Sequence, residues 1–284
     1  MAKNTVFSKK NTLNIKGNLI ALDRPKVMGI LNVTPDSFYA GSRVNQMNEI
    51  LERAKLMLES GASFLDVGGY SSRPGAEDIS IEEEINRTIP VVKELKSSFP
   101  QALISIDTFR SKVASKAIES GADIINDISA GELDKQMFDV VAEAKAPYIM
   151  MHMKGTPQNM VAKTNYEDIL KEVLDYFQKK VDVLQKKGVS DLILDPGFGF
   201  AKNRDQNFLL LKHLKHLEVL ERPLLIGVSR KSMIYKTLNT SSEEALNGTT
   251  VLNTLAIQNG ADILRVHDVK EAIEVVKLIE LTYN

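Results

Sequence analysis

The chain has 284 residues, 43% of them apolar, and a net charge of −1. That is enough apolar sequence for a large core, and α/β barrels of ~250 residues form one domain; the near-neutral charge, with no long basic run, argues against a nucleic-acid footprint. The absence of cysteine removes disulfides, thiol nucleophiles and cysteine-ligated metals.

The first fourteen residues, MAKNTVFSKKNTLN, carry charge but no apolar h-region, so they do not read as a secretory signal. No run of about eighteen apolar residues follows, so no membrane span is expected. A cytoplasmic, soluble protein is the expected class. Residues 12–22, TLNIKGNLIAL, alternate on both sides of Gly17-Asn18 and predict a hairpin that caps one end of the fold.

Eight short apolar runs then recur: 27–33, 64–69, 103–108, 123–128, 148–153, 192–197, 224–230 and 262–268. Each is almost continuously apolar, as strands covered on both faces are. Helical patterns lie between them, at 47–60, 81–98 and 165–187. A weak repeat marks the helix-to-strand turns: SGASFLDV (60–67), SGADIIND (120–127) and NGADILRV (259–266), with KGVSDLILD (187–195) a looser copy. Glycine suits the left-handed residue past a helix end. Such units build a parallel sheet through right-handed crossovers, and eight of them predict a closed (β/α)8 TIM barrel with an N-terminal β-hairpin cap. An open doubly wound sheet is the alternative. No Pro-, Gly- or Ser-rich linker divides the chain, so residues 1–284 are expected to form one domain.

Every predicted strand ends in polar groups: Asn32, Asp66, Asp107, Asn126 with Asp127, His152, Asp195, Ser229 with Arg230 and Lys231, and Arg265 with His267 and Asp268. Barrel enzymes build their sites at that face. Asp107, Asn126 and Asp195 offer the carboxylates and amide that read a flat heterocycle. Lys231, Arg265 and His267 come from the last two strands, where barrels often hold phosphate. Structural ion pairs, such as Arg265 with a neighbouring Asp, are the competing explanation.

Other signals are discounted. GFGF (197–200) lacks the spacing of a dinucleotide fingerprint, and no P-loop pattern exists. His213 and His216 read as a surface helix face, and MMHM (150–153) as core strand. KKVDVLQKK (179–187) reads as a solvated helix face. Ser229 has no nucleophile elbow around it.

Taken together and in order, GILNVTPDSF (29–38), DVGGYSSRPGA (66–76), SIDT (105–108), INDIS (125–129), MHMKGTPQNM (151–160), LDPGFGF (194–200), SRKSM (229–233) and RVHDV (265–269) resemble the dihydropteroate synthase family. The resemblance implies a transferase of folate biosynthesis and a target of sulfonamides. Such enzymes join 6-hydroxymethyl-7,8-dihydropterin diphosphate to 4-aminobenzoate, with Mg²⁺ assisting, and they are commonly homodimers. The implied catalytic residues are Asp107, Asp195, Lys231, Arg265 and His267. Asp107, Asn126, Met151, Asp195 and Lys231 are implied at the pterin. Asn32, Arg265 and His267 are implied at the diphosphate, with Asn32 beside the metal. Asp36, Phe38, Ser72, Arg73, Pro74, Phe200, Ser229 and Lys231 are implied at the aminobenzoate.

The family also implies that the segment after the first barrel strand closes on substrate, which explains why a buried strand opens into Thr34-Pro35-Asp36-Ser37-Phe38. The chain departs from the pattern at Tyr70, where Glu is usual, at Ser72 for Thr, at YAGS (39–42) for a DGG-type run, and at Ala201 for Gly. A folate–corrinoid methyltransferase domain and a non-catalytic pterin-binding protein are the competing readings. SSRPG (71–75) with SRKS (229–232) argues against the first, and the cations Lys231, Arg265 and His267 against the second.

Overall fold

The computed structural model describes residues 10–33, 43–72 and 77–283. A hairpin comes first, β1 (Thr12–Ile15) against β2 (Asn18–Ala21), in antiparallel register from Thr12↔Ala21 to Ile15↔Asn18. Its two turn residues are Lys16 and Gly17, with φ of 51° and 90°. Both are positive, as a two-residue turn matching strand twist requires. The turn therefore lies one residue earlier than the Gly17-Asn18 pair suggested. Asn18 is already paired, and the Gly17 N–H donates to Asn14 Oδ1 at 2.9 Å.

Eight parallel strands follow: β3 (Lys26–Asn32), β4 (Phe64–Gly68), β5 (Leu103–Asp107), β6 (Ile124–Asp127), β7 (Tyr148–Met151), β8 (Leu192–Asp195), β9 (Leu225–Ile226) and β10 (Ile263–Val266). Their order is β8-β7-β6-β5-β4-β3-β10-β9. A parallel bridge between Leu194 and Leu224, with Leu194 N–H donating to the Pro223 carbonyl at 2.9 Å, joins the last gap. Strands thus follow chain order around the ring. An open doubly wound sheet needs a point where that order reverses, and none occurs.

The helices are α1 (Arg43–Glu59), α2 (Ile81–Ser98), α3 (Ser111–Glu119), α4 (Met137–Ala144), α5 (Ile169–Lys186), α6 (Arg204–Lys212), α7 (Ser232–Tyr235), α8 (Leu246–Gln258) and α9 (Val269–Tyr283). The pattern placed α2 to the residue. There Ser80 accepts the Glu83 N–H and Glu82, Glu83 and Glu84 fill the first turn, so cap and dipole agree. The pattern over 165–187 starts four residues early, because Asp168 takes the cap position and accepts from the N–H groups of Leu170 and Lys171. Gly61, Gly121 and Gly260 of the repeat have φ of 105°, 115° and 96°, the conformation the helix-to-strand turn demands. Among the described residues no helix is long and apolar enough to cross a membrane.

Alternation along each strand sorts the barrel interior into layers. The lowest holds Met28, Phe64, Ile124, Ile149, Ile193, Leu225 and Ile263, and the hairpin residues Leu13, Ile15 and Leu22 pack into it. The hairpin is therefore a plug in the N-terminal mouth. Two ion pairs pin it, Lys10–Asp191 at 2.8 Å and Lys16–Asp123 at 2.6 Å. Two residues further along the strands, the interior turns polar: Asp66, Ser105, Asn126, Asp195 and Arg265. The outward residues pack beneath the helices in the main core.

Candidate active site

The polar layer has Arg265 at its centre. From β10 its Nε donates to Asp66 Oδ2 of β4 at 2.6 Å, and its Nη2 donates to Asp107 Oδ2 of β5 at 2.7 Å. Asn126 of β6 donates from Nδ2 to the same Asp66 oxygen at 3.0 Å. The amide oxygen of Asn126 is thereby left on the side away from Asp66. Burial disfavours the charge on Arg265, but Asp66 and Asp107 outweigh it and hold the guanidinium more firmly protonated than usual. Burial pushes the Asp107 carboxyl up, against the pull of Arg265. The ion-pair explanation and the site explanation thus coincide: the pairs exist, and they form the floor of the open mouth.

Asp66, one of the predicted strand-end groups, has no role in the sequence-based site. It is fully buried, and its Oδ1 has no hydrogen-bond partner among the described residues. Strand parity was the signal that could have found it, since Asp66 pairs in register with Ser105 and so shares its face.

β8 delivers Asp195, which is 6% exposed and accepts the Gly197 N–H at 2.8 Å. Burial raises its carboxyl pKa while Lys231 opposes. Lys231 follows β9. Its Nζ donates to the Phe198 carbonyl at 2.5 Å and lies 4.8 Å from the Phe200 ring centre. Burial pulls this amine down to about 8. Gly197 is forced: a Cβ there would stand 2.1 Å from the His152 carbonyl oxygen, and its φ is 71°. Met151 and Phe200 share an apolar cluster with Ile128, Met153, Met160 and Ala201, which walls one side. Met151 therefore belongs to this wall, whereas Met150 lies in the main core.

On the opposite side Ser229 and His267 are tied together. The Ser229 hydroxyl lies 3.0 Å from His267 Nδ1 and accepts the His267 N–H at 3.1 Å. Between Ser229 and Lys231, Arg230 takes a left-handed φ of 54° and turns outward. There it grips Asp268 through Nε at 2.9 Å and Nη2 at 2.8 Å. That clasp joins the segments after β9 and β10. Asn32, half-buried at the end of β3, faces the space a Gly68 side chain would occupy. A Cβ there would lie 3.5 Å from Asn32 Oδ1 and 3.6 Å from Asp107 Oδ2.

Two strand-end groups point away from the mouth. Asp127 accepts from the N–H groups of Ser129 and Gly131 and from the Tyr148 hydroxyl, and is a turn anchor. His152 packs its ring edge-on to Tyr176. Ser72 lies half-buried four residues beyond β4. The variant position Tyr70 accepts a hydrogen bond from Gln158 at 2.8 Å and packs edge-on to Phe109, which joins the loops after β4, β5 and β7. Asp36, Phe38, Arg73 and Pro74 lie outside the described residues. What remains is one mouth with a carboxylate–amide floor, an apolar wall and a basic rim, the chemistry that suits a flat polar ring with an anionic tail.

Comparison with known proteins agrees with that chemistry. Residues 28–267 match the family model described as pterin binding enzyme. The chain is 44% identical over 264 residues to the dihydropteroate synthase of Synechocystis sp., covering 92% of this chain and 91% of that one. The Yersinia pestis dihydropteroate synthase in complex with a sulfonamide drug superposes with a TM-score of 0.89 at 40% identity, over 95% of this chain and 98% of the other. The Xanthomonas albilineans enzyme in complex with 7,8-dihydropteroate gives a TM-score of 0.86 at 34% identity, over 95% and 98%. The chain belongs to the dihydropteroate synthase family of pterin-binding enzymes.

Proposed function

We propose that the protein is a dihydropteroate synthase that transfers the dihydropterin methylene from diphosphate to the amino nitrogen of 4-aminobenzoate. The observation that carries this reading is the meeting of Asp107, Asn126 and Asp195 with Arg265, Lys231 and His267 in one mouth. The relatives complexed with a sulfonamide drug and with 7,8-dihydropteroate support the choice of substrates. We read residues 1–284 as one pterin-binding barrel domain.

In this reading Asn126 presents its amide oxygen to a ring N–H, because its Nδ2 is spent on Asp66. Asp107 and Asp195 take further ring donors. Their negative charge, held in a buried site, stabilises positive charge that develops on the ring as the methylene–oxygen bond breaks. Arg265, Lys231 and His267 lie on the side where the departing diphosphate gathers charge. Aniline nitrogen is nucleophilic without activation, so no covalent enzyme intermediate is needed. Ser72, Arg73, Pro74, Phe200, Ser229 and Lys231 form the aminobenzoate side in this reading, with Asp36 and Phe38 assigned to the cover that excludes water. Secondary isotope effects at the methylene well above unity are expected; values near unity would point to a tight, associative displacement.

Mg²⁺ fits the donors present. The gap over Gly68 is flanked by the hard oxygen Asn32 Oδ1, while Asp107 Oδ2 beside it is taken by Arg265, and Mg²⁺ at phosphate sites takes as few as one protein oxygen plus the substrate's own. Asn32 is the residue proposed to hold it, and when bound it neutralises diphosphate charge. Among the described residues there is no set of three His, Cys, Asp or Glu able to hold a metal unaided.

We further propose a cytoplasmic homodimer. Exposed Val251 and Leu255, one turn apart on α8, support a partner on that side. Light scattering of the purified protein tests the dimer.

Turnover tests the function: purified protein, Mg²⁺, the pterin diphosphate and 4-aminobenzoate, with diphosphate and dihydropteroate both quantified. Equal release of the two is expected. Bound pterin with neither product would bring back the non-catalytic reading.

A further inference from the structure

Lys202 has no part in the chemistry above, yet it is one of the most buried cations of the chain, 7% exposed. Its ammonium is ringed by four acceptors. They are the Gly197 carbonyl at 2.9 Å, the Phe200 carbonyl at 3.0 Å, the His152 carbonyl at 3.3 Å and His152 Nδ1 at 3.0 Å. None of these is a carboxylate, and a buried charge without a contacting counter-charge is costly. Burial pulls the amine down to about 7, with Asp195 favouring its charge and Lys231 and Lys154 opposing it.

The loop between β8 and α6 explains what the cost supports. Residues 197–201 make three left-handed steps, at Gly197, Gly199 and Ala201, with φ of 71°, 79° and 49°. These steps turn the carbonyls of Gly197 and Phe200 to one centre, which Lys202 fills as a bound cation would. The loop is also held from outside. Asn207 Oδ1 accepts the Gly199 N–H at 2.7 Å, and the Tyr166 hydroxyl donates to the Ala201 carbonyl at 2.9 Å. Its remaining face meets the active site, where the Phe198 carbonyl and the Phe200 ring receive the Lys231 amine.

We propose that Lys202 is a positioning residue: its ammonium, seated in the carbonyl cup of residues 197–201 and His152, fixes the loop that holds Lys231 and Phe200 for the aminobenzoate side of the reaction. The proposal rests on the synthase reading of those two residues. It separates the two halves of the mouth. Asp66 and Asp107 bond to Arg265 and Asn126 bonds to Asp66, none of them to the loop; of the polar pterin-side groups only Asp195 and Lys231 bond to it, so pterin recognition depends on the cup less than the aminobenzoate side does.

The test uses the full chain, with Lys202→Met as a neutral residue of similar length. Calorimetry gives affinities for the pterin diphosphate and for 7,8-dihydropteroate, and kinetics give kcat and the aminobenzoate KM. Expected are pterin diphosphate affinity within about threefold of wild type, a loss of about tenfold for dihydropteroate, and kcat down by about thirtyfold with a raised aminobenzoate KM. Equal loss for both ligands, or unchanged kcat and dihydropteroate affinity, overturns the positioning role. Lys202→Ala guards against a variant that folds poorly, because its vacated space admits a small ion. Ethylammonium restores turnover and ethanol does not if the charge matters; equal rescue by both overturns the proposal. A wild type without turnover sinks the synthase reading, while the two calorimetric affinities still decide whether Lys202 positions the loop.

Discussion

Asp66 is closed off from solvent, yet two groups of the mouth take their orientation from it. Its Oδ2 receives Arg265 at 2.6 Å and Asn126 at 3.0 Å. Removing one partner of a buried charge pair costs about 3–5 kcal/mol, because the other stays buried. Asp66→Asn is therefore expected to lower the urea-unfolding free energy by about 3 kcal/mol, with Asp107 retaining part of the Arg265 charge. It also frees the Asn126 amide to flip, so pterin affinity falls with it; full affinity in a destabilised variant would show that Asn126 keeps its orientation unaided. Asp195→Ala acts differently, since it removes a buried acceptor for the ring. A charge-assisted hydrogen bond is worth about 2 kcal/mol, so pterin binding should weaken about thirtyfold. Binding within about threefold of wild type would put the pocket elsewhere. Sequence reading found Asp107, Asn126, Asp195, Lys231 and Arg265 because each stands at or just past a strand end. It placed Asp66 at a strand end too but gave it no role, because that role is to hold two other site groups, and only strand register reveals which residues face each other.

At the scale of the element, the 197–201 loop is the clearest case of backbone set by side chains far from it in sequence. The glycines of GFGF serve packing and left-handed turns. Gly197→Ala would place a methyl 2.1 Å from the His152 carbonyl oxygen at a φ of 71°. The expected loss is about 3 kcal/mol or more, from left-handed strain plus overpacking, read as a fall in the urea midpoint. The cup also makes stability pH-dependent. The Lys202 amine sits near 7 when folded and 10.5 is its ordinary value. Below both values it is charged in folded and unfolded chain alike, so the burial cost is present in full. Between them the unfolded chain keeps a proton that the folded chain has released, so stability rises with pH. Relative to Lys202→Met, the wild type should gain on the order of 2 kcal/mol between pH 7 and pH 9 in paired urea titrations. A constant gap across that range would mean that the amine keeps its proton in the cup throughout. None of this was legible in the sequence, where Lys202 reads as one more lysine after a glycine-rich turn.

The whole barrel was the most legible level. Eight apolar runs and three copies of one helix-to-strand turn announced it, and the only error in the hairpin was its turn, one residue out. What periodicity could not supply was closure, which rests on the single Leu194–Leu224 bridge. Nor could it show that Leu13 and Ile15 plug the bottom layer. Leu13 is fully buried there, so Leu13→Ala is expected to cost about 2–4 kcal/mol. The plug lies at the opposite mouth from Arg265, so kcat measured well below the melting temperature should match wild type. A parallel loss of kcat and stability would mean that strain passes through the barrel from end to end.

Arg265 reaches back 199 positions to Asp66 and 158 to Asp107. A ribosome releasing this chain completes the mouth only when β10 emerges, so a product cut short before Ile263 has no guanidinium between its two carboxylates. Such a fragment is expected to neither turn over nor hold the pterin diphosphate, which calorimetry on a chain ending at Asp262 would check. Activity in this barrel therefore waits on its last strand.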